Sequence, residues 1–127
     1  MIFMLKGFLF TILFVNVFIA NCFVEKVSII NLTTTPEKYD KNFINVKGFF
    51  LNEFEHRALF IDKSSADKNI SENGVTLIFD STISRNILNI YQNQYVEIEG
   101  LFNKVKSNNK NTFTHYISKI YKIQRSL

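Results

Sequence analysis

Two segments of the sequence follow one β template, and this shared template constrains the fold more than any other feature. The segments Ile44–Phe50 (INVKGFF) and Val96–Phe102 (VEIEGLF) each alternate apolar and polar residues and carry a glycine near the end. Alternation with a period of two predicts a strand with one buried face. Glycine weakens a strand interior, so Gly48 and Gly100 indicate sharp bends or a close approach of another backbone. Long bent strands are typical of a small closed sheet.

The remaining elements are read from turn residues and apolar spacing. Ser28 is a candidate N-cap for a short helix from Ile29 to Thr33. A second helix is predicted after Asp80, with a single apolar face made of Ile83, Ile87, Ile90 and Tyr91. Five strands are predicted, at 43–51, 58–61, 75–79, 95–102 and 112–123. The pattern of the last one leaves open a bulge near Ser118 or a helical end.

This order of elements predicts a mainly β fold. A helix between the third and fourth strands of a five-stranded sheet is the arrangement of the OB-fold, a partly open Greek-key barrel. We expect Val46 and Ile98 to face inward, and Ile83, Ile87 and Ile90 to close one end of the barrel. The alternative, two unrelated β-bulges at the two glycines, stays open at this point.

The N-terminus has the three parts of a secretory signal. Lys6 precedes an uncharged, mostly apolar run, Gly7–Val24, with small residues at its end. Cleavage after Ala20 or Cys22 is compatible with this pattern. We therefore predict a signal peptide over 1–22, an OB-fold-like domain over 23–127, and a periplasmic or extracellular location. An uncleaved anchor is the alternative, because the run approaches the roughly 18–20 residues that span a bilayer.

Cysteine usage is consistent with export. The chain has one cysteine, Cys22, so an internal disulfide framework is excluded. Lipidation of Cys22 is an alternative to its removal, although Asn21 is not the small residue that a lipoprotein signal places before its cysteine. Residues 23–127 contain no thiol that could mispair in an oxidising compartment.

Several segments resemble small exported bacterial OB-fold proteins of uncharacterised function. The similarity covers roughly residues 27 to 121 and rests on structural motifs: Pro36–Asp40 (PEKYD), Val46–Phe49 (VKGF), Glu53–Phe60 (EFEHRALF) and Tyr95–Phe102 (YVEIEGLF). Lys41 stands where the family has a turn glycine. The resemblance implies the fold and no catalytic residues.

The sequence carries no motif that indicates an enzyme. It lacks a nucleophile elbow, a phosphate loop and a dinucleotide fingerprint, so we predict a non-enzymatic protein without a cofactor or metal. Glu53 and Glu55 can point the same way and could serve acid–base chemistry, but a solvated hairpin explains them better. Two histidines, His56 and His115, lie far apart in the sequence.

The charge distribution points to a candidate binding segment. Residues 100–127 carry six Lys or Arg and no acid, whereas residues 23–99 carry eight Lys or Arg and eleven Asp or Glu. Basic residues interleaved with aromatic rings are what single-stranded nucleic acid requires. The candidate ligand-binding residues near the basic hairpin 104–110 are Lys104, Lys106, Lys110, Phe113 and Tyr116.

Three functions remain in competition. The first is an exported binding module with an unidentified ligand. The second is a salt-sensitive binder of nucleic acid or another anionic polymer through the hairpin 104–110. The third is a structural or partner-protein module of the cell envelope, with an exposed apolar patch at Phe49, Leu51 and Phe54. Membrane contact is expected only through residues 7–24 if the signal is uncleaved.

Overall fold

The computed structural model describes residues 24–106 and 115–127 of the chain. Strands dominate this part, so the prediction of a mainly β fold is confirmed. The strands are β1 (Glu25–Val27), β2 (Phe43–Glu53), β3 (His56–Phe60), β4 (Gly74–Leu77), β5 (Tyr95–Asn103) and β6 (Tyr116–Arg125). The α-helices are α1 (Ile29–Thr34), α2 (Lys63–Asp67) and α3 (Arg85–Tyr91), with 3-10 turns at Pro36–Lys38 and Ser71–Asn73.

The strands form one sheet that closes in a ring. Their order is β1-β2-β3-β4-β6-β5, and β2 pairs with β5 as well as with β3. The β1–β2 and β4–β6 pairs are parallel, and the other pairs are antiparallel. Val46 lies opposite Ile98 in the β2–β5 pair, and both side chains are buried, as the alternation predicts.

The two strand glycines allow neighbouring segments of the chain to pack closely against β2 and β5. A Cβ atom at Gly48 would lie 2.6 Å from the carbonyl oxygen of Phe60, and one at Gly100 would lie 2.7 Å from Cγ2 of Ile117. Both distances are too short for a side chain, which confirms the interpretation that another backbone or side chain approaches closely at each glycine. The β5–β6 register also shifts opposite Gly100, where Lys119 has a φ of 48°.

The last strand is unbroken and contains a bulge. β6 runs from Tyr116 to Arg125, so the predicted bulge near Ser118 is confirmed and the helical end is not observed. The predicted start at Thr112 lies outside the described residues. The bulge explains the irregular apolar spacing of this segment, because β6 advances four residues from Ser118 to Lys122 while β5 advances two from Leu101 to Glu99.

The five-strand count is wrong because the sequence analysis missed β1. Its three residues, two of them exposed and charged, are too short to show alternation. The strand pairs in parallel with the start of β2 and leads into α1. Helix α1 begins as predicted: the Ser28 hydroxyl accepts a hydrogen bond from the Asn31 N–H at 3.1 Å, and Ile29 and Leu32 enter the core.

The predicted isoleucine face of the second helix is also wrong. Helix α3 begins at Arg85 and is capped by Ser84, whereas Asp80 accepts a hydrogen bond from the Thr82 N–H in a preceding turn. Leu88 is buried, while Ile87 is 40% and Ile90 61% exposed. Ile83 and Tyr91 pack partly against the core. Ile83 precedes the helix, and Leu88 is the helical residue that is buried.

A second apolar cluster lies apart from the main core. It consists of Phe49, Ala58, Phe60 and Ala66, and Phe49 also makes an edge contact with Tyr95 at 5.3 Å between ring centroids. The predicted exposed patch is therefore wrong at Phe49, which is buried. Leu51 packs partly against the same cluster, and Phe54 alone of the three predicted residues is largely exposed.

The outward side of β2 and β5 carries a hydrogen-bonded polar group. Asn45 is buried, and its Nδ2 donates to Oε1 of Glu97 at 2.6 Å and to Oε1 of Glu99 at 2.9 Å. The hydrogen bonds that Glu97 accepts from Asn45 and Gln124 lower its pKa. Burial alone would raise the pKa of Glu99, but hydrogen bonds from Asn45 and Tyr121 outweigh it and the pKa is lowered.

The export prediction falls on residues that the structure does not describe. The predicted signal peptide 1–22, with Cys22, lies outside the described residues. Within 24–106 and 115–127, no helix combines the length and the apolar character needed to cross a membrane.

Candidate functional site

A pocket of about 610 Å³ lies on the outer side of the β3–β4 pair, beside the start of β6. Ala58 is the register partner of Thr76, and Thr76 is also the partner of Tyr116, so three strands meet there. Alternation puts every second residue of a strand on the same side of the sheet. The pocket is lined by residues 56, 58 and 60 of β3, by residues 74 and 76 of β4, and by residue 78 directly after β4.

The inner wall of the pocket is apolar and buried. Ala58 and Phe60 are almost fully buried and belong to the second apolar cluster. Gly74 contributes space, since a Cβ there would lie 2.9 Å from Cδ1 of Phe60. Ile78 adds apolar surface at the edge and is 49% exposed. A volume of this size, with mostly hydrophobic walls, is in the range of small-molecule sites.

Two loop residues with polar side chains stand at the rim of the pocket. Asn69 and Ser71 line it and are exposed. The loop that carries them follows α2, which is capped by Asp62: the carboxylate accepts a hydrogen bond from the Ser65 N–H at 2.8 Å. This bond, with the Ser65 hydroxyl, lowers the pKa of Asp62. The Asn73 side chain donates to the Ser65 hydroxyl at 3.1 Å and ties the loop to α2.

His56 is the residue of chemical interest in this pocket. It begins β3 directly after Glu55, whose φ of 64° lies in the left-handed region and completes the tight turn from β2. Its Nε2 atom is buried and has no hydrogen-bond partner among the described residues. A buried polar atom without a partner costs about 1–3 kcal/mol.

The base of the β5–β6 hairpin forms one side of the pocket. Val105 lines it, and the Val105 N–H donates to Nδ1 of His115 at 2.9 Å. The Thr76 N–H donates to the His115 carbonyl oxygen at 2.9 Å, which connects the same residue to β4. Burial lowers the pKa of His115, and the positive charge of Lys104 lowers it further against the opposing effect of Asp40 and Glu37.

Only some of the site residues that the sequence predicts lie at the pocket. Tyr116 lines the pocket, whereas Lys104 and Lys106 are absent from its described lining. The Lys104 Nζ lies 3.9 Å from Oε2 of Glu37, and its backbone N–H donates to Asp40 at 2.8 Å. Lys110 and Phe113 lie outside the described residues.

The pocket itself was not found from the sequence. Nothing in the sequence connects His56 with this pocket, and the other histidine, His115, does not line it. The available signal was the outward face of β3, where Ala58 and Phe60 stand at positions that solvent-facing strands fill with polar residues. In a strand as short as β3, three consecutive apolar residues give no alternation, so the sequence does not show that its outward face is apolar.

The carboxylate pairs do not form a metal site. Glu53 and Glu55 are exposed at the β2–β3 turn. Glu97 and Glu99 each accept a hydrogen bond from Nδ2 of Asn45. Across the two described ranges, no group of three or more His, Cys, Asp or Glu side chains is arranged to hold a metal ion.

No protein-family model matches the sequence, and no curated protein matches it significantly.

Proposed function

We propose that the chain is an exported, non-enzymatic binding module with an OB-fold, and that its ligand occupies the pocket between β3, β4 and β6. The observation that carries this proposal is the pocket of about 610 Å³ itself, which has the buried side chains of Ala58 and Phe60 in its wall. Binding sites commonly combine apolar walls with a few polar groups that fix the orientation of the ligand.

The strand connectivity supports the OB-fold assignment. Counted from β2, five strands follow the order first, second, third, fifth, fourth, and the fourth pairs back to the first. The helix α3 lies between the third and fourth of these strands. β1 is then an additional strand at the N-terminal end. OB-folds bind ligands on the face of their second and third strands, flanked by two loops, and the pocket lies on the equivalent strands β3 and β4.

The chemistry of the pocket supports binding over catalysis. Nucleophilic and acid–base catalysis need a reactive group next to a second group that activates or orients it. Among the described residues that line the pocket there is no Asp, Glu, Lys or Arg, and His56 Nε2 has no partner. Export is supported by the sequence of residues 1–22 alone.

Amide NMR of labelled protein, titrated with a panel of small aromatic alcohols and amides, tests this function. We expect shifts to concentrate at Ala58, Thr76 and Tyr116. Ser71→Trp places a large ring at the pocket rim on an exposed residue and should abolish these shifts. The matched control is Ser64→Trp, at an exposed residue of α2 outside the pocket lining, and it should leave them intact. Shifts that survive Ser71→Trp unchanged would rule out this pocket as the ligand site.

A further inference from the structure

A second pocket, of about 420 Å³, lies on the outer side of the β1–β2 pair, beside the start of α1. We infer that this β1–α1 pocket binds a small hydrophobic carboxylate, with the carboxylate beside Lys26 and Lys47 and the apolar body against α1. The inference goes beyond the proposed function, because it concerns a different pocket and a different class of ligand.

The two cations come to the β1–α1 pocket through the register of its strands. Lys26 is the register partner of Asn45 in the parallel β1–β2 pair. Asn45 and Lys47 are two residues apart on β2, so the alternation of side chains puts them on the same side of the sheet. All three residues line the pocket, and both lysines are exposed. The rim therefore carries two positive charges from neighbouring strands.

Neither of these lysines forms an ion pair in the described part of the chain, where the ion pairs belong to other lysines. Glu97 is the register partner of Lys47, but it does not line the pocket and it accepts hydrogen bonds from two other side chains. Residues 1–23 and 107–114 contain no Asp or Glu, so they cannot supply a carboxylate either. A ligand carboxylate would therefore give the two lysines their opposite charge.

The rest of the β1–α1 pocket is mostly apolar. Val27 and Ile29 line it and are buried, and Ile61 lines it and packs partly against the main core. Ile30, on the first turn of α1, is 56% exposed and adds apolar surface at the edge. A ligand with an apolar body would remove this surface from water. The volume lies in the range of small-molecule sites.

Charge and apolar surface together select the class of ligand. An ammonium group would be repelled by the two lysines, and an uncharged molecule would leave them without a counter-charge. A small, fully hydrophilic anion would leave the apolar wall in contact with water. A hydrophobic carboxylate meets both requirements at once.

Three probes with the same chain separate the charge from the apolar body: octanoate, 1-octanol and octylammonium. Binding is measured by amide NMR titration of labelled protein at about pH 7.5, where carboxylates are ionised and lysines are protonated. We expect shifts at Val27, Ile30 and Ile61. Octanoate should bind about two- to tenfold more tightly than 1-octanol, because exposed ion pairs contribute modestly. Octylammonium should bind more weakly than 1-octanol.

The preference for octanoate should decrease between about 50 and 500 mM salt, because salt screens exposed charges. Lys26→Gln combined with Lys47→Gln removes both charges at exposed positions, so octanoate and 1-octanol should then bind equally. The matched control is Lys38→Gln combined with Lys68→Gln, which changes the net charge equally at exposed residues outside the pocket lining. This control should keep the preference.

Two variants of Ile30 test the position of the carboxylate. Ile30→Glu places a negative charge in the pocket wall and should weaken the binding of octanoate more than that of 1-octanol. Ile30→Gln has the same length without the charge and should weaken the two probes equally. Ile30 is an exposed residue of α1, so both variants should fold.

The outcomes distinguish this inference from the proposed function. Equal binding of octanoate and 1-octanol by the original protein, or no shift at Val27, Ile30 and Ile61, would overturn the inference. A preference that survives the double substitution of Lys26 and Lys47 would overturn the role of the lysines. Shifts confined to Ala58 and Thr76 would place the probe in the other pocket and count against this inference alone. Failure of the aromatic panel in that other pocket would count against the proposed function alone.

Discussion

Nδ1 of His115 accepts a hydrogen bond from the backbone N–H of Val105 at 2.9 Å, and this bond joins the two sides of the β5–β6 hairpin at its base. The ring of His115 also makes an edge contact with Phe102, at 5.6 Å between centroids. Because Val105 lines the pocket, the bond connects the hairpin to the proposed ligand site. Protonation of Nδ1 would remove its lone pair and break this connection.

The protein should lose stability as the pH falls below about 6.5, the ordinary pKa of histidine. The pKa of His115 is lowered in the folded chain, so the unfolded chain binds more protons in acid. The stability is therefore present above that pH and decreases as the pH falls through the folded pKa. Urea unfolding at about pH 7.5 and about pH 5.5 measures the effect.

His115→Asn is the matched variant for this pH dependence. Asparagine keeps an acceptor near the position of Nδ1 and does not titrate. We expect the variant to show a smaller difference between the two pH values than the original protein. Equal losses in both proteins would show that His115 is not responsible.

Asn45→Leu should lower the free energy of unfolding by about 1–3 kcal/mol, because two carboxylates lose a hydrogen bond from a buried donor. Asn45→Asp should be worse near neutral pH, since it places a third carboxylate against Glu97 and Glu99. Chemical unfolding at several pH values measures both variants.

The original protein and the Asn45→Asp variant should respond to acid in opposite ways. The original protein loses stability below about pH 4.5, because the pKa values of Glu97 and Glu99 are lowered in the folded state. Asn45→Asp should gain stability on mild acidification, as protonation relieves the repulsion. A variant that is as stable as the original at neutral pH would contradict this account of the polar group.

Gly48→Ala should destabilise the protein by about 1–3 kcal/mol, because the added methyl group meets the Phe60 carbonyl oxygen and two core side chains. Thermal unfolding measures the change. Lys47→Ala is the control on the neighbouring, exposed position and should stay within about 0.5 kcal/mol of the original. A Gly48→Ala protein of unchanged stability would show that the ring is less tightly closed here.

Leu88→Ala should cost about 2–5 kcal/mol, as a large buried side chain is lost from the inner face of α3. Ile90→Ala, on the exposed face of the same helix, should change the stability by less than about 1 kcal/mol. Both are compared by denaturant unfolding. The reverse order of the two effects would restore the isoleucine face that the sequence predicts.

Strands β2 and β5 were predictable because each of them carries a local signal. The alternation around Val46 and Ile98 and the glycine in each segment required no knowledge of the rest of the chain. β1 was not predicted because three residues are too few to show alternation of apolar and polar side chains. The face of α3 was mistaken because the apolar residues allow two helical stripes, and the packing of the helix against the core, which buries Leu88, decides between them.

The site was predictable only in part, because a pocket is a property of packing. Tyr116 was found through its place near the basic hairpin, whereas His56 comes to the pocket only through the β3–β4 pairing and the parallel contact of β4 with β6. Charge counts also do not show which cations have a partner: Lys104 and Lys122 each lie near a carboxylate in the folded chain.

Intermolecular NOEs between a bound aromatic alcohol of the panel and the methyl groups of the protein test the central claim most directly. We expect NOEs from the aromatic ring to the methyl groups of Ala58 and Ile78, and their loss in Ser71→Trp. NOEs to the exposed side chain of Ile90, or to no methyl group that lines the pocket, would contradict it.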